Sequence, residues 1–404
     1  MNPDKDLIRS WRSLDETIRG WWDGDLSTAT EADSDGTLLP LPHPYSSAGG
    51  SEAAFPEMYG WDTYFINRAL LEHDRLDIVR GHVQNQLHMI ETYGMVLNGN
   101  RTFYLTRSQP PLLAPIAAAL LERQPDASLA SRAITALEAE YNDYWGADHH
   151  VTSTGLTTNR DLGDPSLRPE LASEAETGLD FTPLFEGDVR RFVPLITNSA
   201  LVATARALAE MCERWAAPER AARWRAETSR RIRLINELCW DKRAGQYVEY
   251  NWVEKRPSKV TGLSSVWPLW AGVASPRQGA RAIAKLMPYA QPGGWASTAS
   301  EWPSPHPEWN WVQWQFPSGW PPEQIIVLDA LRRYGRDDVA APQAARFVQV
   351  QLERFALTGS LWERYNVAAP DIDLPVERFP AVPMHGWSSA AAVVLGRFLA
   401  RDAR

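Results

Sequence analysis

Cysteine is nearly missing from this chain. Only Cys212 and Cys239 occur in 404 residues, both in helix-like segments beside apolar neighbours. With no CxxC and no Cys/His ligand spacing, they read as buried structural thiols rather than metal ligands. Long basic runs are also missing and the net charge is −9, so the electrostatic footprint of a nucleic-acid binder is absent. No stretch approaches the ~20 apolar residues of a membrane span. The N-terminal "MNPDKDLIRSWRSLDETIRGWWDGDL" lacks the unbroken apolar core of a secretory signal. The expectation is a cytoplasmic protein that engages neither nucleic acid nor membrane, with its oligomeric state left open. Strand signals are few, and no HExxH, GxSxG, P-loop or dinucleotide fingerprint occurs. Among eight histidines only His149 and His150 are adjacent, and that pair reads as a surface loop.

Tryptophan, by contrast, is abundant. The composition is globular, 44% hydrophobic and 23% charged, yet there are 19 tryptophans, many outside helical patterns, as in "EWPSPHPEWNWVQWQFPSGWPP". About half can serve as core. The others need a use for large rigid faces with an N–H handle, and sugar rings, apolar on their faces and polar at their edges, provide one.

Helical periodicity recurs over residues 5–22, 62–73, 75–93, 109–123, 127–145, 190–216, 218–239, 264–272, 276–287, 322–335, 337–356 and 385–402. Long polar, aromatic loops fall at 23–60, 94–108, 146–189, 240–263, 288–321 and 357–384 and alternate with short turns. That alternation predicts an all-α protein, a closed toroid of helix pairs whose loops at one end build the site. One domain is expected over residues 1–404, with residues 1–50 a helix and loop packing on it. The loop "NGNRTFYLTRSQPP" (98–111) is too long and too rich in amides, arginines, hydroxyls and aromatics for a plain helix connection. It suits a surface that meets something rich in hydroxyls.

Three carboxylates sit among aromatics and glycines: Asp62 in "PEMYGWDTYF", Asp180 in "EAETGLDFTPLF" and Glu363 in "GSLWERYNV". Each has a plainer reading. Asp62 could cap a helix, Asp180 could be a turn residue after Gly178, and Glu363 could pair with Arg364. Two carboxylates facing one pocket are also what glycoside hydrolysis requires, one protonated for the leaving oxygen and one ionised to activate water or attack carbon. Asp180 between Leu179 and Phe181 suits the acid, since apolar walls favour its neutral form. Glu363 beside Arg364 suits the base, since a cation favours its charged form. The glycine pair in "QPGGWAST" reads as a turn or a tight pocket wall.

Five ordered blocks resemble glycoside hydrolase family 37, the trehalases, over roughly residues 50 to 400. "NGNRTFYLTRSQPP" is similar to the family's NGNR-x-(Y/F)-Y-L-x-RSQPP block, "EMYGWDTYF" to E-x-Y-x-W-D-x-Y, and "ETGLDFT" to the segment carrying the acid. "QWQFPSGWPP" resembles Q-W-D-x-P-x-G-W-x-P, and "WERYNV" resembles the segment carrying the base. The resemblance implies an (α/α)6 barrel and an inverting, exo-acting α-glucosidase without metal or organic cofactor. Its substrate would be a small sugar, trehalose first. It implies Asp180 as general acid and Glu363 as general base. It puts Trp61, Asp62, Asn98, Arg107, Gln109 and Gly178 around the cleaved glucose, with Trp314, Trp320 and Trp387 as walls. "SLRPEL" resembles the R-P-E-S stretch that holds the leaving glucose, making Arg168 and Glu170 candidates there. The chain departs from the pattern at Ala54, where the family has an arginine, and at Gln315, where it has an acid. Both departures fall on the leaving-group side, so another small α-glucoside such as glucosylglycerate or a short gluco-disaccharide stays open. So do a catalytically silent sugar-binding protein and a phosphorylase, although no phosphate-binding cluster lies near the base.

Overall fold

A computed structural model describes residues 5–28, 35–52 and 54–401; residue 402 of the last sequence-read helix, and the first four residues of the chain, lie outside it. Among the described residues the helices are α1 (Lys5–Gly24), α2 (Asp62–Glu72), α3 (Leu76–Tyr93), α4 (Leu113–Arg123), α5 (Ala127–Ala139), α6 (Pro169–Ala175), α7 (Leu195–Trp215), α8 (Pro218–Leu238), α9 (Trp267–Trp270), α10 (Pro276–Ile283), α11 (Pro321–Arg333), α12 (Asp337–Thr358) and α13 (Gly386–Arg401). None of them is long and apolar enough to cross a membrane.

Helix α2 touches α4, α4 touches α7, α7 touches α9, α9 touches α11, α11 touches α13, and α13 returns to α2. That closed inner ring is wrapped by α1, α3, α5, α8, α10 and α12, which alternate with it along the chain, so the expected (α/α)6 barrel is what the chain forms. The sequence explains which helix goes where. In α13 nearly every residue from Gly386 to Leu399 is buried, as an inner helix contacted all round requires. Along α8 only Ala221, Trp224, Arg231 and Ile235 are buried, one narrow stripe on a charged outer helix. Helix α1 buries Leu7, Ile8, Trp11, Leu14, Ile18 and Trp22, the i, i+3, i+4 spacing of an amphipathic face, against α12 and α13. It is pinned where Trp11 Nε1 donates to the Ala392 carbonyl at 2.9 Å.

Boundaries follow local chemistry. Ser275 and Gln278 form a capping box at α10, and Asp126 accepts from Ser128 N and Leu129 N at the start of α5. Pro218 and Pro321 open α8 and α11, where a missing N–H costs nothing. The predicted helix start at Gln109 is corrected to Leu113. Pro110 and Pro111 hold the chain in the loop, which then enters α4. The predicted start at 190 moves to Leu195, because a short 3₁₀ turn and a two-residue strand precede Pro194. Helix α6 lies inside a stretch expected to be loop throughout. Cys212 and Cys239 are free and buried, as expected.

Candidate active site

One end of the barrel holds a cavity of about 300 Å³. Its lining comes from the segments that enter inner helices: Trp61 and Asp62 at the start of α2, Asn98, Arg107 and Gln109 ahead of α4, and Gly178 and Asp180 ahead of α7. Trp314 and Trp320 stand ahead of α11, and Glu363 and Trp387 come from the segment between α12 and α13 and the first turn of α13. The sequence-predicted residues from five separate loops therefore meet in one place, facing the N-terminal ends of inner helices. The helix dipoles there favour negative charge.

The inner part is a tryptophan floor. Trp314 and Trp320 stack at 3.9 Å between ring centroids, and Trp61 and Trp387 meet edge-on at 6.0 Å. Trp320 Nε1 donates to the Gln313 carbonyl at 3.1 Å and Trp387 Nε1 to the Glu363 carbonyl at 2.9 Å, so two of the four rings are oriented by hydrogen bonds. Gly178 is required beside them. Its φ is +78°, and a Cβ there would stand 2.8 Å from the Trp61 ring. Gln109 ties two motifs together by accepting from Trp61 N at 3.0 Å. Arg107 pairs with Asp161 at 3.2 Å and with Asp164, which itself lines the cavity. The outer part is a rim of Phe55, Tyr59, Phe103, Tyr104 and Phe379.

Asp62 is not a cap. It is the first residue of α2, one past the cap position that Trp61 occupies, and burial lifts its carboxyl well above the usual range, with Asp180 and Glu363 adding to the rise. Glu363 departs from the expectation that Arg364 would hold it low. The two are paired, but burial outweighs the guanidinium and pushes the Glu363 carboxyl up to about 7, with the nearby Asp180 charge adding to the rise. Asp180 also departs from its expected apolar setting. Its side chain is 36% exposed and Oδ2 accepts from Arg378 at 2.8 Å. Its carbonyl accepts from Gln313 Nε2 and Arg378.

Arg168 and Glu170 are not brought to the cavity. They stand at the start of α6, where Arg168 pairs with Glu308 at 2.7 Å and Glu170 faces Arg190. The residues just before them, Asp164, Ser166 and Leu167, do line the cavity, as does Arg378. The reading of His149–His150 as a surface loop is also corrected. His150 is fully buried and meets Glu176 at 3.0 Å. Glu176 further accepts from Asn159, from Arg160 N at 2.9 Å and from Tyr144. Burial alone would lift its carboxyl, but these donors outweigh it and hold the group below the usual range. Two residues earlier, Glu174 accepts from Thr182 N at 2.8 Å and from His306 at 3.1 Å, stapling both flanks of Asp180. The sequence signal for both was available: acids without an i+4 cation in an apolar stretch.

Comparison with known proteins agrees with this geometry. The family model described as Trehalase matches residues 3–174 and 172–395. A periplasmic trehalase of Pseudomonas aeruginosa is 30% identical, over 89% of this chain and 72% of its own. The cytosolic neutral trehalase of Saccharomyces cerevisiae is 28% identical, over 83% of this chain and 52% of its own. The solved structure of a neutral trehalase from the same yeast superposes with a TM-score of 0.77 at 26% identity, over 88% of this chain and 73% of that one. These relatives overturn one expectation. The cytoplasmic assignment drawn from the sequence does not stand, because several of the matching relatives are periplasmic enzymes.

Proposed function

We propose, from the premise that the chain belongs to the trehalase family of glycoside hydrolases, that it cleaves trehalose by single displacement with inversion at the attacked carbon. The observation that carries this reading is the meeting of Asp180 and Glu363 in a tryptophan-floored cavity, each delivered by a different loop. The cleaved glucose takes the buried floor, against Trp61, Trp314, Trp320 and Trp387, with Asn98, Arg107 and Gln109 directing hydrogen bonds to its hydroxyls. Glu363, ionised, takes a proton from a water whose oxygen attacks the anomeric carbon. Asp180, protonated, gives its proton to the glycosidic oxygen as that bond breaks. One glucose leaves as the β anomer and the other keeps its α configuration. A second reading is favoured by Arg168 and Glu170, which stand away from the cavity in surface ion pairs. In that reading the leaving group is a different small polyol or sugar on the same α-glucosyl unit.

The test is proton NMR of the first products from trehalose and from a panel of small α-glucosides. Trehalose should give α- and β-glucose in equal amounts before mutarotation. Only α-glucose would show retention and remove the proposed mechanism, and turnover confined to another α-glucoside would install the second reading. Asp180→Asn and Glu363→Gln should each lower trehalose turnover by about 10²–10⁴-fold with the fold intact. Near-normal turnover in either variant ends that residue's role.

A further inference from the structure

A second hollow, of about 560 Å³, opens at the C-terminal ends of inner helices and shares no lining residue with the catalytic cavity. Its walls come from the inner ring: α2, α4, α7, α11 and the end of α9. Tyr64 and Trp270 are buried there and meet edge-on at 6.2 Å. Tyr64 in turn packs on Phe65, and Phe65 on Trp61 of the catalytic floor.

Two guanidiniums from different helices face this hollow, Arg206 on α7 and Arg333 in the last turn of α11. They converge over Gly272, which turns the chain out of α9 with φ +66°. A Cβ on Gly272 would stand 3.2 Å from Arg333 Nη1 and 3.5 Å from Arg206 Nη1. Cations this close repel each other. Burial, and then the Arg333 charge, disfavour the charged form of Arg206, and Glu210 offsets part of that. Local duties explain one arginine only. Arg206 Nη1 donates to the Ala271 carbonyl at 2.6 Å and so closes the end of α9. Arg333 suits the dipole at the end of α11, which accounts for its position in the helix but not for its approach to Arg206. Among the described residues Arg333 makes no hydrogen bond or ion pair, and Arg206 makes no ion pair. Glu122 and Glu210 also line the hollow, both exposed and neither ion-paired among the described residues.

We infer that this hollow binds a small phosphate monoester, its anionic group held between Arg206 and Arg333 and its organic part against Tyr64 and Trp270. Two guanidinium forks offer the parallel N–H donors that phosphate oxygens accept, and a charge near −2 balances both cations. A carboxylate would leave one of the two uncompensated. The site stands apart from Asp180 and Glu363 and holds whatever sugar the enzyme cleaves. No bond is made or broken in it.

Titration calorimetry in phosphate-free buffer at fixed ionic strength tests the site, with phenyl phosphate, inorganic phosphate and chloride as probes. Wild type is compared with Arg333→Met, Arg333→Lys and Arg378→Met. Arg333 is exposed, so its variants should fold and turn over substrate as wild type does. Phenyl phosphate should bind wild type one to one and raise its melting temperature. Arg333→Met should weaken that binding by about 10- to 100-fold, and Arg333→Lys should recover part of it. Arg378→Met should bind as wild type does, and inorganic phosphate should bind more weakly than phenyl phosphate. Equal affinity for the two phosphates would overturn the monoester and leave the bare anion as ligand. Binding lost in Arg378→Met but kept in Arg333→Met would move the probe to the catalytic cavity and overturn the site. So would the lack of saturable binding, or chloride acting as well as phosphate.

Discussion

Glu363 carries the sharpest consequence at the scale of single residues. It must be ionised to serve as base, and burial has raised it to about 7. Turnover should therefore fall as pH drops through 7, by about tenfold per unit once protonation dominates. A kcat/KM profile in the free enzyme's range checks this, and a rate still flat at pH 5 would take Glu363 out of the reaction. The residues that meet in the cavity were readable because their chemistry is local to their motifs. Trp61, Asp62, Asn98, Arg107, Gln109 and Gly178 sit in blocks whose composition suits no simple turn. Arg378 was not readable. In "PVERFPAVP" a Glu–Arg step looks like an exposed ion pair, and nothing local says that its guanidinium crosses to a carboxylate 198 residues earlier. Arg168 and Glu170 failed for the converse reason, since their motif is present but its side chains find closer partners in Glu308 and Arg190.

Elements were legible where a helix has two unlike faces. The α1 and α8 stripes show in the sequence because water and core demand different residues on opposite sides. Helix α6 was hidden because seven residues give less than two full turns of periodicity and the segment lies among prolines and glycines. Helix α9 shrank to Trp267–Trp270, preceded by a 3₁₀ turn, so its inner-ring role rests on bulky rings rather than length. At this scale the docking of α1 on α13 can be tested at one position. A Cβ on Gly396 would stand 1.9 Å from Trp11 Nε1, inside the contact that anchors the helix pair. Gly396→Ala, although favourable for an isolated helix, should destabilise by about 1–3 kcal/mol through overpacking. Thermal or urea unfolding reads it, and an unchanged or raised melting temperature would mean α1 is not held there.

Across the whole molecule, the ring closes around several carboxyl groups kept from water. Burial pushes Glu249 and Glu323 up to about 8, and Glu140, Glu363 and Glu377 up to about 7. Glu249 accepts from Leu195 N at the start of α7, and Glu323 accepts from Ser297 Oγ near the start of α11, so two inner helices depend on them. A folded-state pKa above the unfolded value means that the native state holds more protons than the unfolded chain between the two. Stability is then lost as pH rises from the unfolded carboxylate range through 7 to 8. The melting temperature should decline from pH 6.5 to 8.5, with a slope on the order of 1 kcal/mol per pH unit for each such group titrating in that range. Glu249→Gln, which keeps a hydrogen-bond acceptor but no charge, should flatten the decline. A melting temperature that climbs over this interval would show that other groups govern it.

Because the four stacked and edge-packed indoles seal the inner end, traffic through the hollow runs in a single file. The newly detached partner occupies the doorway and departs first, and the glucose lodged at the blind end must wait its turn. Accumulated glucose can re-enter that vacated berth and obstruct the next substrate, so the enzyme's own product is expected to act as a competitive brake.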